Sequence, residues 1–154
     1  MRNVLIALVA AVLGSAACAS DATTRHGNDL IHRYAVDKAF AEVIFELNFA
    51  ITEHNFRITG RNTIGAGLRE RGYADFPDVE VIHFCSLELA REVLLLDPGF
   101  VAQMPCRITV HEAAGRTVIS LILLPLDHPD ERVNAFARRM NAILQEIVEY
   151  ALAP

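Results

Sequence analysis

The sequence predicts an α+β protein in which helices pack on one face of a mostly antiparallel sheet. Three observations lead to this fold class. Two β-rich segments, 106–112 and 117–124, are joined by a short turn around Gly115, which is typical of a hairpin. Apolar residues recur at helical spacing in three longer segments that are separated by predicted strands. The length of 154 residues and a hydrophobic content of 53% allow one domain with a sizeable core.

The first half of this predicted domain starts with a short strand over residues 30–36. Asp37 can cap the helix that follows, and Asn55 is placed where the apolar stripe of that helix ends. A second strand begins at Phe56. Residues 65–72 are glycine-rich at both ends and form one or two short helical turns.

The second half contains the remaining three strands and two helices. Residues 79–85 alternate in burial preference and are rich in β-branched side chains, so they form a strand. Ser86 can cap the next helix, and residues 97–99 end it. After the hairpin, residues 127–130 stop the sheet and cap a final helix with an apolar stripe. The predicted order is strand, helix, strand, short helix, strand, helix, two strands, helix.

Residues 1–19 have the organisation of a secretory signal peptide. A positive start at Arg2 is followed by an apolar run over residues 4–13 and by small residues up to Ala19. The run is shorter than the roughly 20 apolar residues that a membrane-spanning helix needs. We therefore expect an exported protein of the bacterial cell envelope, with a polar tether over 20–29 and a single domain over 30–154.

Two cleavage chemistries fit this segment. Residues 17–19 satisfy the A-x-A rule, which gives a soluble periplasmic chain that starts at Ser20. Residues 15–18 resemble a bacterial lipobox, in which Cys18 is lipidated and attaches the protein to a membrane. The sequence leaves both possibilities open.

The charge of the chain argues against one class of partner, nucleic acid. The formal net charge is −5, which argues against nucleic acid, because phosphate binding depends on clustered Lys and Arg.

Either cleavage chemistry takes Cys18 out of the thiol count and leaves Cys85 and Cys106. In an oxidising compartment this pair is a candidate disulfide. Two buried, unreacted thiols and a metal, redox or sulfur-carrier site are the alternatives.

Four side chains form the candidate metal site. Strand periodicity places His83 and Cys85 on one face, and it places Met104 near Cys106 if Met104 is extended. Thiolate, thioether and imidazole groups together suit Cu(I) or Zn(II). Cys85 also precedes a predicted helix, whose N-terminal dipole favours a thiolate and with it redox chemistry.

Three segments carry a resemblance to a known family. They are residues 65–72, 81–87 and 97–112, in which a Phe-Cys pair is followed about twenty residues later by Pro-Cys-Arg. The sequence resembles the DUF302 family, a bacterial and archaeal domain of unknown function. The resemblance implies a TBP-like α+β fold over about residues 34–125, with the last helix as an extension. It implies no established activity, since fold alone does not give function.

Three functions are compatible with these observations. The first is a binding domain of the cell envelope that has no catalytic turnover and holds a metal or a small molecule. The second is a thiol-based redox or sulfur-handling protein that uses Cys85 and Cys106. The third is an interaction module, including a homodimer, because residues 118–124 are apolar on both faces of their strand. No nucleophile elbow or Ser-His-Asp order indicates an enzyme.

The export prediction can be checked by the intact mass of the protein purified from its own cell envelope. Cleavage after Ala19 gives a chain that starts at Ser20, whereas lipobox processing gives a heavier chain with lipid on Cys18. Recovery of the uncleaved chain that still starts at Met1 would contradict both.

Overall fold

The computed structural model describes residues 30–154, and the predicted signal peptide and tether, 1–19 and 20–29, lie outside this part of the chain. The elements in chain order are β1 (Ile31–Val36), α1 (Phe40–Glu53), β2 (Arg57–Thr63), α2 (Ile64–Arg69), β3 (Val79–Cys85), α3 (Leu87–Leu96), a 3-10 helix (Pro98–Gln103), β4 (Cys106–Ala113), β5 (Arg116–Ile122) and α4 (Glu131–Leu152). The α+β fold class and the order of elements are confirmed. The 3-10 helix was not expected from the sequence.

The five strands form one sheet in the order β1-β5-β4-β3-β2, with antiparallel pairing throughout. In the middle of the sheet Ile82 lies opposite Ile108, and Ile108 lies opposite Leu121. All three side chains are fully buried. They occupy the same face because side chains alternate along a strand.

Helices α1 and α4 cover this face and pack against each other. Their fully buried side chains include Leu47, Ile51 and Ile147, each of which contributes about 1.5–3 kcal/mol of hydrophobic stabilisation. Two aromatic pairs extend the core: Phe56 packs edge-on against Phe84, and Phe100 against Phe136. This layering fulfils the expectation that the helices lie on one side of the sheet.

The two ends of α1 differ in how well they were predicted. The N-cap is Ala39, and no side chain caps this end, so the predicted role of Asp37 is wrong. Asp37 lies two residues before the N-cap. Its carboxylate instead accepts a hydrogen bond from Nε of Arg116, with an N···O distance of 2.8 Å. Asn55 has a φ of 60°, and Phe56 N–H donates to the carbonyl of Ile51, so the predicted stop at Asn55 is confirmed.

The caps of α3 and α4 show the same contrast. Ser86 occupies the N-cap position of α3, but its side chain makes no cap hydrogen bond and its hydroxyl donates to Glu88 at 3.2 Å. Asp130 caps α4 as predicted, since its carboxylate accepts from the backbone N–H of Arg132 at 2.9 Å.

The second face of the sheet carries the side chains that point away from α1 and α4. Arg107 and His111 lie on it, opposite in direction to Ile108. Val118 and Ile122 of β5 also point to this face and are half-buried. The predicted homodimer through these residues stays a prediction. Within residues 30–154 no helix has the length and apolar character needed to span a membrane.

The α2 turn depends on the absence of a side chain at Gly65. A Cβ at this position would lie 2.5 Å from the carbonyl oxygen of Pro77 and 2.8 Å from the backbone nitrogen of Val79. Backbone atoms cannot move aside cheaply, so Gly65→Ala should lower the free energy of unfolding by about 1–3 kcal/mol in urea denaturation.

Gly67→Ala is the matched control in the same helix. Its Cβ would meet only Nη1 of Arg71, at 3.4 Å, and this is the end of a flexible side chain. The substitution should leave stability unchanged or raise it by about 0.5–1 kcal/mol, because alanine favours a helix over glycine. Equal destabilisation by both changes would contradict the close-approach explanation.

Candidate functional site

A small apolar cavity lies where β3 ends, β4 begins and the 3-10 helix meets α4. Its volume is about 30 Å³, which is room for a water molecule or a single ion. Four of its lining residues carry sulfur and three are aromatic: Cys85, Met104, Cys106, Met140, Phe56, Phe100 and Phe136. We call this cavity the sulfur pocket.

Strand pairing brings the two cysteines to the same end of the sheet. Cys106 is the first residue of β4 and lies opposite Phe84, so Cys85 lies one position further along β3. Met104 follows the 3-10 helix with φ −102° and ψ 153°, which is the extended conformation that the sequence argument required. Met140 reaches the pocket from α4, where it is almost fully buried.

The predicted disulfide does not form in the structure. Cys85 and Cys106 are both free thiols. The register agrees with this, because Cys106 lies directly across from Phe84 and not from Cys85. The two thiols share a pocket without being directly opposite each other.

Burial holds both thiols in the neutral form. Burial first, and then the charge that Cys85 can carry nearby, raise the pKa of Cys106 to about 11. Burial also raises the pKa of Cys85, whose Sγ–H is directed to the carbonyl of Ser86 at 3.7 Å. For Cys85 this burial acts against the thiolate that the start of α3 is expected to favour.

His83 lies apart from the other three predicted metal ligands. It is opposite Arg107 in the register and adjacent to Gly60 of β2, on the sheet face that points away from α1 and α4. It does not line the sulfur pocket. Residues 30–154 contain no group of three His, Cys, Asp or Glu side chains that could hold a metal ion. Of the four predicted ligands, the structure brings together Cys85, Met104 and Cys106.

Met140 was assigned to the core by its position in the apolar stripe of the last helix. Its burial agrees with that assignment, but it also completes the set of sulfur side chains around the pocket. No local signal distinguishes such a methionine from a core residue, because its partners come from segments about 35 residues or more away in the chain. Only the packing of α4 on the sheet reveals it.

The family model described as "Domain of unknown function DUF302" matches residues 32–148. The chain belongs to the DUF302 family. The match runs through most of α4, so the expectation that this helix extends beyond a family domain ending near residue 125 is wrong. In this chain α4 supplies Met140 to the sulfur pocket, which places the pocket inside the DUF302 domain.

One solved DUF302 structure supports the same fold. The chain is similar to an uncharacterized conserved DUF302 protein from Bacillus stearothermophilus, with a TM-score of 0.71 and 17% sequence identity. The alignment covers 79% of this chain and 98% of that protein. No curated protein matches the sequence. The likeness at this identity concerns the fold alone.

The raised pKa of Cys106 predicts a slow and strongly pH-dependent reaction with iodoacetamide. With a pKa of about 11, only about one thiol in a thousand is ionised at pH 8. The alkylation rate should therefore increase about tenfold per pH unit between pH 8 and pH 10. The measurement uses the Cys18→Ser, Cys85→Ala variant, which leaves Cys106 as the single thiol.

The same variant unfolded in urea serves as the control, because its thiol should ionise near the ordinary value of about 8.5. A native rate that levels off below pH 9 would show that the protein does not suppress the thiolate.

Proposed function

We propose that this DUF302 domain binds a single Cu(I) ion at the sulfur pocket, without catalytic turnover. The observation that carries the proposal is the convergence of Cys85, Met104, Cys106 and Met140 around one small apolar cavity. Thiolate and thioether ligands are soft donors, and soft donors select Cu(I). We also propose that the domain works in the cell envelope, on the basis of the signal peptide pattern in residues 1–19.

The size of the cavity favours an ion over an organic ligand. Pockets for small molecules and cofactors usually enclose about 300–1,000 Å³. The sulfur pocket offers about 30 Å³, so an organic molecule would have to displace several core side chains. A cavity of this size has room for a single metal ion.

The donor set favours Cu(I) over Zn(II). Structural zinc sites take four ligands from Cys, His, Asp and Glu. The pocket offers two cysteines of this type, while His83 lies on the other side of the sheet. The remaining donors are the thioethers of Met104 and Met140, and Cu(I) accepts thioether ligands more readily than Zn(II) does.

Proton release accompanies binding. Both thiols are neutral in the free protein because burial raises the pKa of each. Each cysteine that coordinates Cu(I) forms an S–Cu bond and loses its proton to solvent. Two thiolates and one Cu(I) leave a net charge of −1 at the site, in place of the neutral pair. Affinity should therefore rise with pH.

A thiol-based redox role is the second candidate, and it is favoured by the shared position of Cys85 and Cys106 at one pocket. Their raised pKa values lower the thiolate fraction on which such chemistry depends. Titration of thiols before and after reduction tests this candidate. Thiols that increase by two per chain on reduction would support it, and an unchanged count would contradict it.

Competition with a chromogenic Cu(I) chelator under anaerobic conditions tests the metal proposal. The parent protein is the full chain with Cys18→Ser, which removes the other thiol. We expect one Cu(I) per chain. Cys85→Ser and Cys106→Ser should each weaken binding by at least about 100-fold, since each removes a direct ligand. Met140→Leu conserves volume and should weaken binding less, with stability changed by under about 1.5 kcal/mol.

His83→Ala is the matched control, because His83 is the predicted ligand that the fold keeps out of the pocket. It should bind Cu(I) as tightly as the parent chain. Unchanged binding in a Cys85→Ser, Cys106→Ser double variant would overturn the proposal, as would binding that depends on His83 but not on Cys106.

A further inference from the structure

The face of the sheet that points away from α1 and α4 is basic. Arg57 lies at the end of β2 opposite Cys85, and Arg107 lies opposite His83 on β4. Arg33 of β1 is on the same face, opposite Ser120. We call the strand residues that point this way the open face.

Arg57 and Arg107 have no acidic neighbours among the strand positions of the open face. Its residues, by the alternation of side chains, are 31, 33 and 35 of β1, 57, 60 and 62 of β2, 79, 81 and 83 of β3, 107, 109 and 111 of β4, and 118, 120 and 122 of β5. Cys85, the last residue of β3, lines the sulfur pocket and is not counted with this face. None of these positions holds Asp or Glu. Arg57 and Arg107 are exposed, and neither forms an ion pair with another residue in 30–154.

The helices that flank the other face of the sheet carry more acidic than basic residues. Helices α1, α3 and α4 together carry eight glutamates and four arginines. Their outer surfaces are separated from the sheet by a helix diameter of about 10 Å. This exceeds the Debye length of about 8 Å at physiological ionic strength. The glutamates on the outer surfaces of these helices therefore act only weakly on an anion near the open face, although the whole chain has a net charge of −5.

We propose that the open face docks on an anionic phospholipid surface. Charge complementarity is the first argument, because each arginine near such a surface contributes about 1 kcal/mol. Shape is the second, because five strands spaced about 4.8 Å apart give a row of side chains about 20 Å wide. Such a row suits a planar layer of headgroups more than a single small anion.

The course of the chain before β1 is the third argument. Twelve residues separate Cys18 from Ile31, where the edge strand of the open face begins. An extended segment of this length reaches about 40 Å. A chain held at the membrane through lipid on Cys18 therefore keeps the open face within reach of the headgroups.

Two other occupants fit the open face less well. A second copy packed face to face would bring together two surfaces that each carry Arg57 and Arg107. Single-stranded nucleic acid is held by aromatic side chains on which bases stack. The open-face positions include no Phe, Tyr or Trp.

Vesicle binding by the full chain with Cys18→Ser tests the proposal. The measured quantity is the ratio of partition coefficients between vesicles of phosphatidylglycerol mixed with phosphatidylcholine and vesicles of phosphatidylcholine alone. This ratio removes any binding through the apolar run, which does not depend on headgroup charge. Arg57→Gln and Arg107→Gln should each lower the ratio about fivefold, and added salt should lower it further.

Arg91→Gln is the matched control, since Arg91 is an exposed arginine on α3 with the same charge change. It should alter the ratio by less than about twofold. An equal effect of all three substitutions would overturn the proposal in favour of a response to net charge. A ratio unaffected by the Arg57→Gln, Arg107→Gln double variant would also overturn it, as would preferential binding to a single-stranded oligonucleotide. Cu(I) binding at the sulfur pocket is measured independently and need not change in these variants.

Discussion

The antiparallel register between β3 and β4 is the constraint on which the other features of this protein depend. It places Ile82 opposite Ile108 in the core and Phe84 opposite Cys106 at the pocket end. A slip of one residue would move every side chain of one strand to the other face, exchanging Ile82 and Phe84 for Val81 and His83. The energetic penalty of exposing those buried side chains fixes the register. The chemistry at the pocket follows from that apolar packing.

The sulfur pocket illustrates a competition between two effects on the same thiol. A position at the start of a helix favours a thiolate by the helix dipole, which contributes about 0.3–1 kcal/mol at exposed sites. Burial opposes the charged form, and it raises the pKa of Cys85, the thiol that precedes α3. The apolar lining is therefore decisive. In such a pocket the cysteines stay protonated until a cation binds and replaces their protons.

Much of the fold could be predicted from the sequence because the relevant signals are local. The strand over Val79–Cys85, the helix stop at Asn55 and the cap at Asp130 depend on residues within a few positions of one another. The candidate site could not be predicted in the same way, because its residues come from distant segments of the chain. Strand alternation correctly put His83 on one face, but it could not show that Cys85, at the end of the strand, lines a pocket with Met140 of α4. The role of Met140 comes from packing across the chain.

The order of strands has a consequence for how the protein folds as it is made. The first strand pairs with the last, and Arg116 donates to the carbonyl of Ala35 across 81 residues of sequence. During synthesis β1 therefore has no partner strand until β5 has emerged, whereas β4 and β5 meet at once through their turn at Ala114 and Gly115. The hairpin can form in microseconds, but closure of the sheet at β1 is a late event. Until that event, the edge of the first strand is open to pairing with another chain.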